Sequence, residues 1–418
     1  MDSAVNPPQL TDLLMHILLV HQNFAAIDEP GGTRHYEMAR YLVRMGHQVT
    51  VVTSPVSYLT GSSGKHRSNY VKQELQDGIT ILRAYTYPAL HRSFFHRVIS
   101  FSSFMVSSFI TGARVKSVDL VWGTSPPIFQ GLSAWALAKL QTAPFLFEVR
   151  DLWPAFAVQV GVLRQPLLIR ASEWLERFLY RHAKRVIVNS PGFIEHVKAH
   201  GASQVDLVPN GADLEMFDPR ADGAGFRKAH GLEEKFVALY AGAHGMSNDL
   251  GVLLEAAARL KPNPEIAIVL LGDGKEKTAL QRQASEMGMD NVFFIPPVPK
   301  SEMAQALAGA DACIAILKPI PLYATVYPNK VFDYMAAGRP VILAIGGVIR
   351  EVIEQAGAGI PVTPGNPDEM TQAILSLAND PHRGKTMGLS GRLHLQNHFN
   401  RPALAQKLAD IFDDSIHN

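Results

Sequence analysis

Short runs of consecutive apolar residues alternate along the first half of the chain with longer segments of helical periodicity. The runs have the length of buried parallel strands and lack the alternation of a half-exposed sheet. Strand, helix and strand in succession is the pattern of right-handed βαβ units. This half therefore predicts a doubly wound α/β domain, with strands at 16–20, 48–53, 80–83, 120–123, 145–149 and 185–188 and helices at 33–45, 128–140 and 167–182.

The same pattern restarts in the second half, after a Pro- and Gly-containing stretch at 214–231 that is typical of a linker. Its strands are predicted at 236–241, 266–271, 292–295, 312–317 and 341–343. The fold class is therefore α/β, with two Rossmann-like doubly wound domains facing across a cleft. The predicted parts are a disordered extension at 1–14, domains at 15–213 and 214–400, and a last amphipathic helix at 401–418; the polar segment 55–78 is predicted to be a mobile loop.

Composition narrows the class of protein and its partners. The 418 residues are 47% hydrophobic and 18% charged, which is typical of a globular chain, and a net charge of +1 argues against nucleic acid as a partner. The single cysteine, Cys313, excludes an internal disulfide and suits a reducing compartment. Residues 1–14 lack the features of a signal peptide. The 16 histidines include no HExxH or other metal-ligand spacing, so we expect no bound metal.

An apolar, aromatic segment at 94–115 leaves two interpretations open. It carries basic residues at or near its ends, including Arg97 and Arg114. It could be a buried helix, or it could lie in a membrane interface with its basic ends on anionic lipid. No run of 18 uncharged apolar residues occurs, so we expect no spanning helix.

The segment 327–342, YPNKVFDYMAAGRPVI, predicts a loop, a short helix, a turn and a buried strand. Pro328 presets the turn, Asn329 is a candidate helix cap, and Gly338 ends the helix. Free N–H groups at the helix start, with Lys330 beside them, form a site for an anion such as a diphosphate. Asp333, one turn later, could accept hydrogen bonds from two ribose hydroxyls. The alternative is a capped helix packed on a sheet with a solvated lysine.

Two segments of the first half are also candidate ligand sites. Gly31 and Gly32 precede the first predicted helix, which Arg34 opens, but GxGxxG is absent, so an NAD oxidoreductase is not indicated. Residues 148–154, EVRDLWP, follow a strand's carboxyl end, where open α/β sheets bind ligands. For Gly31 and Gly32 the alternative is a purely structural turn. For residues 148–154 the alternative is a structural Arg–carboxylate pair.

These segments, in this order and spacing, resemble glycosyltransferase family 4, which has the GT-B fold, over nearly the whole chain from residue 15. The resemblance rests on PGGTRHYEMARYL (30–42), EVRDLWP (148–154), VPNGAD (208–213), YAGAHGM (240–246), LLGDG (270–274) and YPNKVFDYMAAGRPVI (327–342). Within the family the chain is similar to WbuB-like enzymes and L-fucosamine transferases of O-antigen and capsule synthesis.

The resemblance implies a retaining hexosyl- or N-acetylhexosaminyl-type transferase that needs no metal or other cofactor. The donor would be a nucleotide diphosphate sugar, with UDP favoured. The acceptor would be a saccharide linked to undecaprenyl diphosphate, which implies a cytoplasmic enzyme that can contact the inner face of the membrane through 94–115.

The resemblance also implies roles for individual residues. Those expected at the donor are Gly242, His244, Gly245, Pro328, Asn329, Lys330, Val331 and Asp333, with Lys330 stabilising the leaving phosphate. Those expected at the acceptor are Gly31, Gly32, Glu148, Arg150 and Asp151, and either Arg34 or Arg150 is expected to assist with phosphate.

The chain departs from the family at two places. Thr325 stands where the family commonly has a first glutamate, and Ala243 and Asn248 stand where many members carry Arg and Lys. Two other classes of protein stay open: a non-catalytic sugar-nucleotide binding protein, and a GT-B epimerase acting on the nucleotide sugar itself.

Overall fold

The computed structural model describes residues 14–27, 29, 31–56, 72–88 and 94–417. The extension predicted at 1–14 lies outside these residues except for Leu14, and so does 57–71, most of the predicted mobile loop.

The first half of the chain builds one eight-stranded sheet in the order β3-β4-β2-β1-β5-β6-β7-β8, parallel except for β3. The strands β1, β5 and β6 are completely buried, as their continuous apolar runs predict. The elements are β1 (His16–Val20), α1 (Arg34–Arg44), β2 (Gln48–Thr53), β3 (Lys72–Gln76), β4 (Ile79–Arg83), α2 (Phe94–Gly112), β5 (Leu120–Ser125), α3 (Phe129–Gln141), β6 (Phe145–Val149), α4 (Ala155–Gln159), α5 (Pro166–His182), β7 (Arg185–Val188), α6 (Ile194–Ala199) and β8 (Val205–Leu207).

The second half builds a six-stranded parallel sheet in the order β11-β10-β9-β12-β13-β14. Apolar side chains on both of its faces pack against helices and form two clusters. The elements are α7 (Ala224–Ala229), β9 (Phe236–Ala241), α8 (Gly251–Arg259), β10 (Ile266–Leu271), α9 (Lys277–Glu286), β11 (Val292–Ile295), α10 (Lys300–Ala308), β12 (Ala312–Ile316), α11 (Asn329–Ala336), β13 (Val341–Ala344), α12 (Val348–Ala356), β14 (Gly359–Pro361), α13 (Pro367–Asn379), α14 (Pro381–His398) and α15 (Arg401–His417).

The predicted α/β class with two Rossmann-like domains is confirmed, and one local prediction is wrong. Residues 72–76, assigned to a mobile loop, form β3, which pairs antiparallel with β4 at the sheet edge. Its sequence, KQELQ, is polar because an edge strand is half solvated, so it lacks the apolar run that marks a buried strand. The short strands β8 and β14 and the helix α7 inside the predicted linker were also missing from the prediction.

The last helix, α15, returns to the first domain. Its apolar face, with Leu404, Leu408 and Phe412, packs in one cluster with the strands β1 and β5. Arg401 at its start donates a hydrogen bond to Glu37 of α1 at 2.8 Å, and both side chains are buried. The chain end therefore helps to fix the orientation of the two domains.

Helix α2, the segment with two open interpretations, has one buried face and one exposed face. Ser100 and Phe104 are buried, and Ser133 of α3 donates a hydrogen bond to the carbonyl of Met105. Phe95 and Ile110 point to solvent. No helix in the described part of the chain is long and apolar enough to cross a membrane.

Candidate functional site

The carboxyl ends of the two sheets face each other across a cleft. Phe156, after β6, stacks on Tyr323, after β12, at a centroid distance of 5.5 Å. Ser190, after β7, donates a hydrogen bond to the carbonyl of Thr325 at 2.5 Å, and Asn210 donates to the carbonyl of Tyr327 at 2.6 Å. Open α/β sheets bind ligands at this edge, where strand order reverses, here between β1 and β5 and between β9 and β12.

The turn after β9 and the turn after β10 pack directly on each other. A Cβ on Gly272 would lie 1.9 Å from the Gly242 carbonyl oxygen, and one on Gly274 would lie 2.5 Å from that of His244, so only glycine fits at either place. The His244 N–H donates to the carbonyl of Asp273 at 2.8 Å. Within the described residues, the N–H groups of Ala243 and Gly245 make no hydrogen bond and remain for a ligand.

The ring of His244 is completely buried, and neither ring nitrogen has a hydrogen-bond partner among the described residues. Burial lowers its pKa to about 4, with Lys277 and Lys330 adding to the effect and Asp273 opposing it. The imidazole is therefore neutral near pH 7. It lies in the wall of the cleft, between Tyr240 and Phe294, and contributes to the site through the shape of the turn.

Asn329 was predicted to cap helix α11, but the helix starts one residue earlier than that prediction. Pro328 is the N-cap and Asn329 is the first helical residue; its side-chain oxygen makes no capping hydrogen bond and is buried without a partner in the described structure. The first N–H groups of a helix have no partner inside the helix, and they carry the positive end of its dipole. Val331, also predicted at the donor, is fully buried, so its side chain is core.

The ammonium of Lys330 lies beside these N–H groups, 3.9 Å from the centroid of the Tyr240 ring. It forms no salt bridge within the part of the chain that the structure describes. Burial lowers its pKa to about 7. A partly buried cation without a counter-ion, beside a helix N-terminus, is an arrangement that an anionic ligand would stabilise.

Asp333, the predicted ribose ligand, has two differently used oxygens. Oδ2 accepts a hydrogen bond from Lys300 Nζ at 2.5 Å, while Oδ1 is buried with no partner among the described residues. Burial raises the pKa of Asp333, against the opposing charge of Lys300. Since buried polar atoms are nearly always hydrogen-bonded, Oδ1 marks a position for a donor from a ligand.

We expect Gly242→Ala to weaken binding of the predicted nucleotide donor by about tenfold or more, because the added Cβ would displace the Lys330 ammonium, and a hydrogen bond to a charged group is worth about 1.5–3 kcal/mol. A Cβ there would lie 2.6 Å from Lys330 Nζ, and φ is +152°. Gly251→Ala, at the start of α8 and outside this turn, is the matched control, because a Cβ there meets nothing within 4 Å. Calorimetric titration of both variants measures the effect; equal affinities would show that the ammonium position does not matter for binding.

In the first domain, Arg34 and Glu148 form a buried ion pair with a short Nε–Oε1 distance of 2.8 Å. Arg34 also donates to the carbonyls of Val208 and Pro209, and His35 Nε2 lies 2.8 Å from the second oxygen of Glu148. Burial by itself raises the pKa of Glu148, but Arg34 and His35 outweigh it and hold that pKa well below its usual range. This network ties α1 to β6 and to the segment that leads toward the second domain, and it leaves both Arg34 and Glu148 buried with their charges paired.

Arg150 and Asp151, which follow β6, differ from that pair. Arg150 donates to Thr124 Oγ1 at 3.0 Å and to the carbonyl of Pro126 at 2.8 Å, next to the strand-order reversal. The Asp151 side chain is open to solvent at the cleft and makes no hydrogen bond within the described residues. Surrounding protein nevertheless removes enough water to raise its pKa to about 6, with Arg150 opposing the shift. Gly31 and Gly32, before α1, are also exposed.

Two residues of the cleft, His21 and Tyr323, carried no signal in the sequence, whereas Thr325 was noted only as a departure from the family. His21, directly after β1, is buried with both ring nitrogens unpartnered in the described structure, and its ring lies 4.3 Å from that of His35. Tyr323 and Thr325 contact the first domain. Thr325 Oγ1 donates to the carbonyl of Leu322, so this side chain closes its own turn. Only the switch-point rule, applied to His21 as the first residue after β1, could have indicated one of them.

Two family models together cover most of this architecture. Residues 31–211 match the family described as glycosyl transferase 4-like domain, and residues 235–380 match glycosyl transferases group 1. The chain is a GT-B glycosyltransferase. The second matched region contains the whole six-stranded sheet, and the first contains every strand of the eight-stranded sheet except β1, which precedes it.

Relatives of this glycosyltransferase differ in what they act on. WcaI of Escherichia coli strain K12, provisionally described as a colanic acid biosynthesis glycosyl transferase, is 25% identical over 73% of this chain and 77% of its own length. A D-inositol 3-phosphate glycosyltransferase of Kribbella flavida is 23% identical over 93% of both chains.

Two solved structures have the same fold. Sucrose-phosphate synthase of Thermosynechococcus elongatus superposes with a TM-score of 0.77 at 20% identity, over 96% of this chain and 98% of its own. HepE of Anabaena, in complex with UDP-glucose, superposes with a TM-score of 0.72 at 18% identity, over 96% and 100%.

Proposed function

We propose that this glycosyltransferase moves a sugar from a UDP-sugar to a lipid-linked saccharide in the synthesis of a bacterial surface polysaccharide. The proposal of a UDP-sugar as the donor rests on the residues at the start of α11. There the Lys330 ammonium lacks a counter-ion among the described residues, and the buried Oδ1 atoms of Asn329 and Asp333 accept no hydrogen bond from any of them. A nucleoside diphosphate supplies what is missing, since its phosphates are anionic and its ribose hydroxyls are donors. HepE and TarM, which share the fold, have been solved in complex with UDP.

In this proposal the donor phosphates lie between the Gly242–Gly245 turn and the N-terminus of α11. Lys330 and the N–H groups stabilise the charge that develops on the leaving diphosphate as the glycosidic bond breaks, the task that a metal performs in other enzymes. The leaving phosphate oxygen accepts the acceptor proton, and the sugar keeps its anomeric configuration. We assign no protein nucleophile.

Donor binding should depend on pH through Lys330. Its pKa of about 7 leaves the ammonium increasingly neutral above that pH, while bound diphosphate restores the proton. UDP affinity should therefore fall by about tenfold per pH unit between pH 8 and 9, where its own phosphate is already ionised. Calorimetry in buffers of different ionisation enthalpy should show uptake of close to one proton. Lys330→Arg should remove the slope, because arginine stays charged; a slope of equal size in that variant would assign the effect to another group.

Asp151 is proposed to orient the acceptor hydroxyl. Arg150 fixes the loop that carries Asp151, and the buried pair of Glu148 and Arg34 stabilises the same loop from the interior of the domain. We expect Asp151→Asn to lower kcat by about 10²-fold, the loss that a misplaced reacting group can cause. The wild-type rate should rise as the pH increases through about 6, where the carboxyl loses its proton, and the variant should lack that rise. A pH–rate profile measures both, and an unchanged acid limb in Asp151→Asn would remove Asp151 from the mechanism.

The proposal of a lipid-linked saccharide as the acceptor rests on the apolar surface of the first domain and on the likeness to WcaI. The exposed face of α2 carries Phe95 and Ile110, and that of α5 carries Leu167 and Trp174. Exposed large apolar side chains with basic neighbours suit a peripheral contact with anionic lipid, where a saccharide on undecaprenyl diphosphate would be met. This surface leads us to propose a cytoplasmic enzyme that works at the inner face of the membrane.

Product analysis tests the proposed function. The protein is incubated with UDP-sugars and a short-chain polyprenyl-diphosphate saccharide, with chelator present in one arm. The expected result is a lengthened acceptor whose new bond has the donor's anomeric configuration, at equal rate with chelator. A changed UDP-sugar without acceptor would indicate the epimerase, and tight UDP-sugar binding without any turnover would indicate the binding protein.

A further inference from the structure

Outside the cleft, two histidines and a glutamate of the first domain converge beneath α4. Glu176 of α5 is buried, and His196 and His200 lie one helical turn apart at α6. One ligand atom from each side chain lies within 4.8 Å of the other two. We propose that Glu176, His196 and His200 bind a divalent transition metal ion, with Zn²⁺ as the best fit. The proposal is independent of the sugar transfer.

The distances suit this ion after small side-chain movements. His196 Nε2 lies 2.8 Å from Glu176 Oε1, and His200 Nε2 lies 4.0 Å from Glu176 Oε2. Ligands of tetrahedral Zn²⁺, with bonds of about 2.0–2.1 Å, lie roughly 3.3 Å apart, between these two values. Two imidazoles and one carboxylate favour Zn²⁺ and similar ions over Mg²⁺ or Ca²⁺, which prefer oxygen ligands.

The surroundings of the three side chains resemble the support of known metal sites. His200 Nδ1 lies 2.7 Å from the carbonyl oxygen of His196, so it carries the ring proton and leaves the lone pair on Nε2. The Tyr180 hydroxyl donates to Glu176 Oε1 at 3.0 Å and orients that carboxylate.

The site also has room for further ligands of the ion. The three side chains line a pocket of about 250 Å³, whose opposite wall is formed by α4 and by Pro154. The two histidines are 22% and 23% exposed, which gives an ion access from solvent. A water molecule in this pocket can complete four-coordination. Bound metal would join α5 and α6 under the helix whose Phe156 stacks on Tyr323 of the second domain.

The sequence contains the spacing for this site as HVKAH, residues 196–200, although HExxH is absent. This pair has a spacing that the sequence analysis overlooked, and whether the protein binds a metal stays a prediction that the titration below decides. The third ligand lies twenty residues earlier and joins the pair only in the folded chain.

The test is a Zn²⁺ titration of the full-length protein after removal of any purification tag and of bound metal with chelator. We expect one equivalent of Zn²⁺ to bind in competition with a chromophoric chelator, and Co²⁺ to give the visible absorption of a four-coordinate site. His200→Ala should weaken Zn²⁺ binding by at least about tenfold, the lower end of what loss of even a supporting hydrogen bond costs a metal site.

The chain offers a matched control in His394 and His398, a second pair of histidines four residues apart whose rings contact each other at 4.5 Å. They belong to no cluster of three candidate ligands in the described residues, so His398→Ala should bind Zn²⁺ as the wild type does. Glu176→Gln should lose binding while keeping the shape of the carboxylate, and circular dichroism checks its fold. Absence of stoichiometric Zn²⁺ binding, or wild-type binding in His200→Ala, would overturn the proposal.

Discussion

Replacing Lys330 by methionine is expected to lower the rate of sugar transfer by about 10²–10³, the loss found when one preorganised contact to a developing anion is removed. Methionine keeps most of the side-chain volume and removes the charge. The ammonium sits over Tyr240 and next to Gly242, so its position is fixed before any ligand arrives. Preorganisation of this kind is what makes an electrostatic contact effective in the transition state.

Steady-state kinetics at pH 7, with the donor varied up to saturation, measure this effect. Lys235→Met is the matched control, since Lys235 lies on the surface of the same domain and donates only to the carbonyl of Pro264. The loss should appear in kcat as well as in KM, because the contact strengthens as the leaving diphosphate gains charge. If the variant keeps at least a third of the wild-type kcat, Lys330 does not stabilise the leaving diphosphate in the transition state. It would then contribute to donor binding at most.

Arg34→Met should destabilise the first domain by about 3–5 kcal/mol, because it leaves the buried carboxylate of Glu148 without its main partner. Three hydrogen bonds from the guanidinium are lost at once, two of them to backbone carbonyls. For a domain of this size the loss corresponds to a fall in Tm of about 10 °C. Arg170→Met, an exposed position on α5, should leave Tm unchanged.

This experiment also separates two roles for Arg34. The sequence resemblance makes Arg34 one of two candidates to assist with phosphate, whereas its contacts in the folded chain make it a positioning residue. A lowered Tm with near-normal UDP affinity supports the positioning role. An unchanged Tm together with lost UDP affinity would return Arg34 to the list of ligand contacts.

Much of the fold could be predicted because parallel strands covered on both faces are continuous apolar runs. HILLV at 16–20 and FVALYA at 236–241 end where the prediction ends them. Strand β3 was not predicted because an edge strand need not be apolar. Strand β14 was not predicted because its three residues form no recognisable apolar run.

The candidate site was predictable only where function depends on local sequence. The start of α11 and the glycine turns belong to this kind, since backbone N–H groups and an adjacent lysine are read directly from the chain. The partner of Asp333 is Lys300, 33 residues away, and Arg34 meets Glu148 across 114 residues. Such pairs depend on how the sheet brings distant loops together, so a single sequence does not contain them in readable form.

The most direct test of the central claim is calorimetric titration of UDP, GDP and ADP into the wild type, Lys330→Met and Asp333→Asn at pH 7. We expect UDP to bind and both variants to bind it more weakly, Lys330→Met through the phosphates and Asp333→Asn through the ribose. Absence of binding by any of the three nucleotides, or UDP affinities in both variants equal to that of the wild type, would contradict the location of the donor site at the N-terminus of α11.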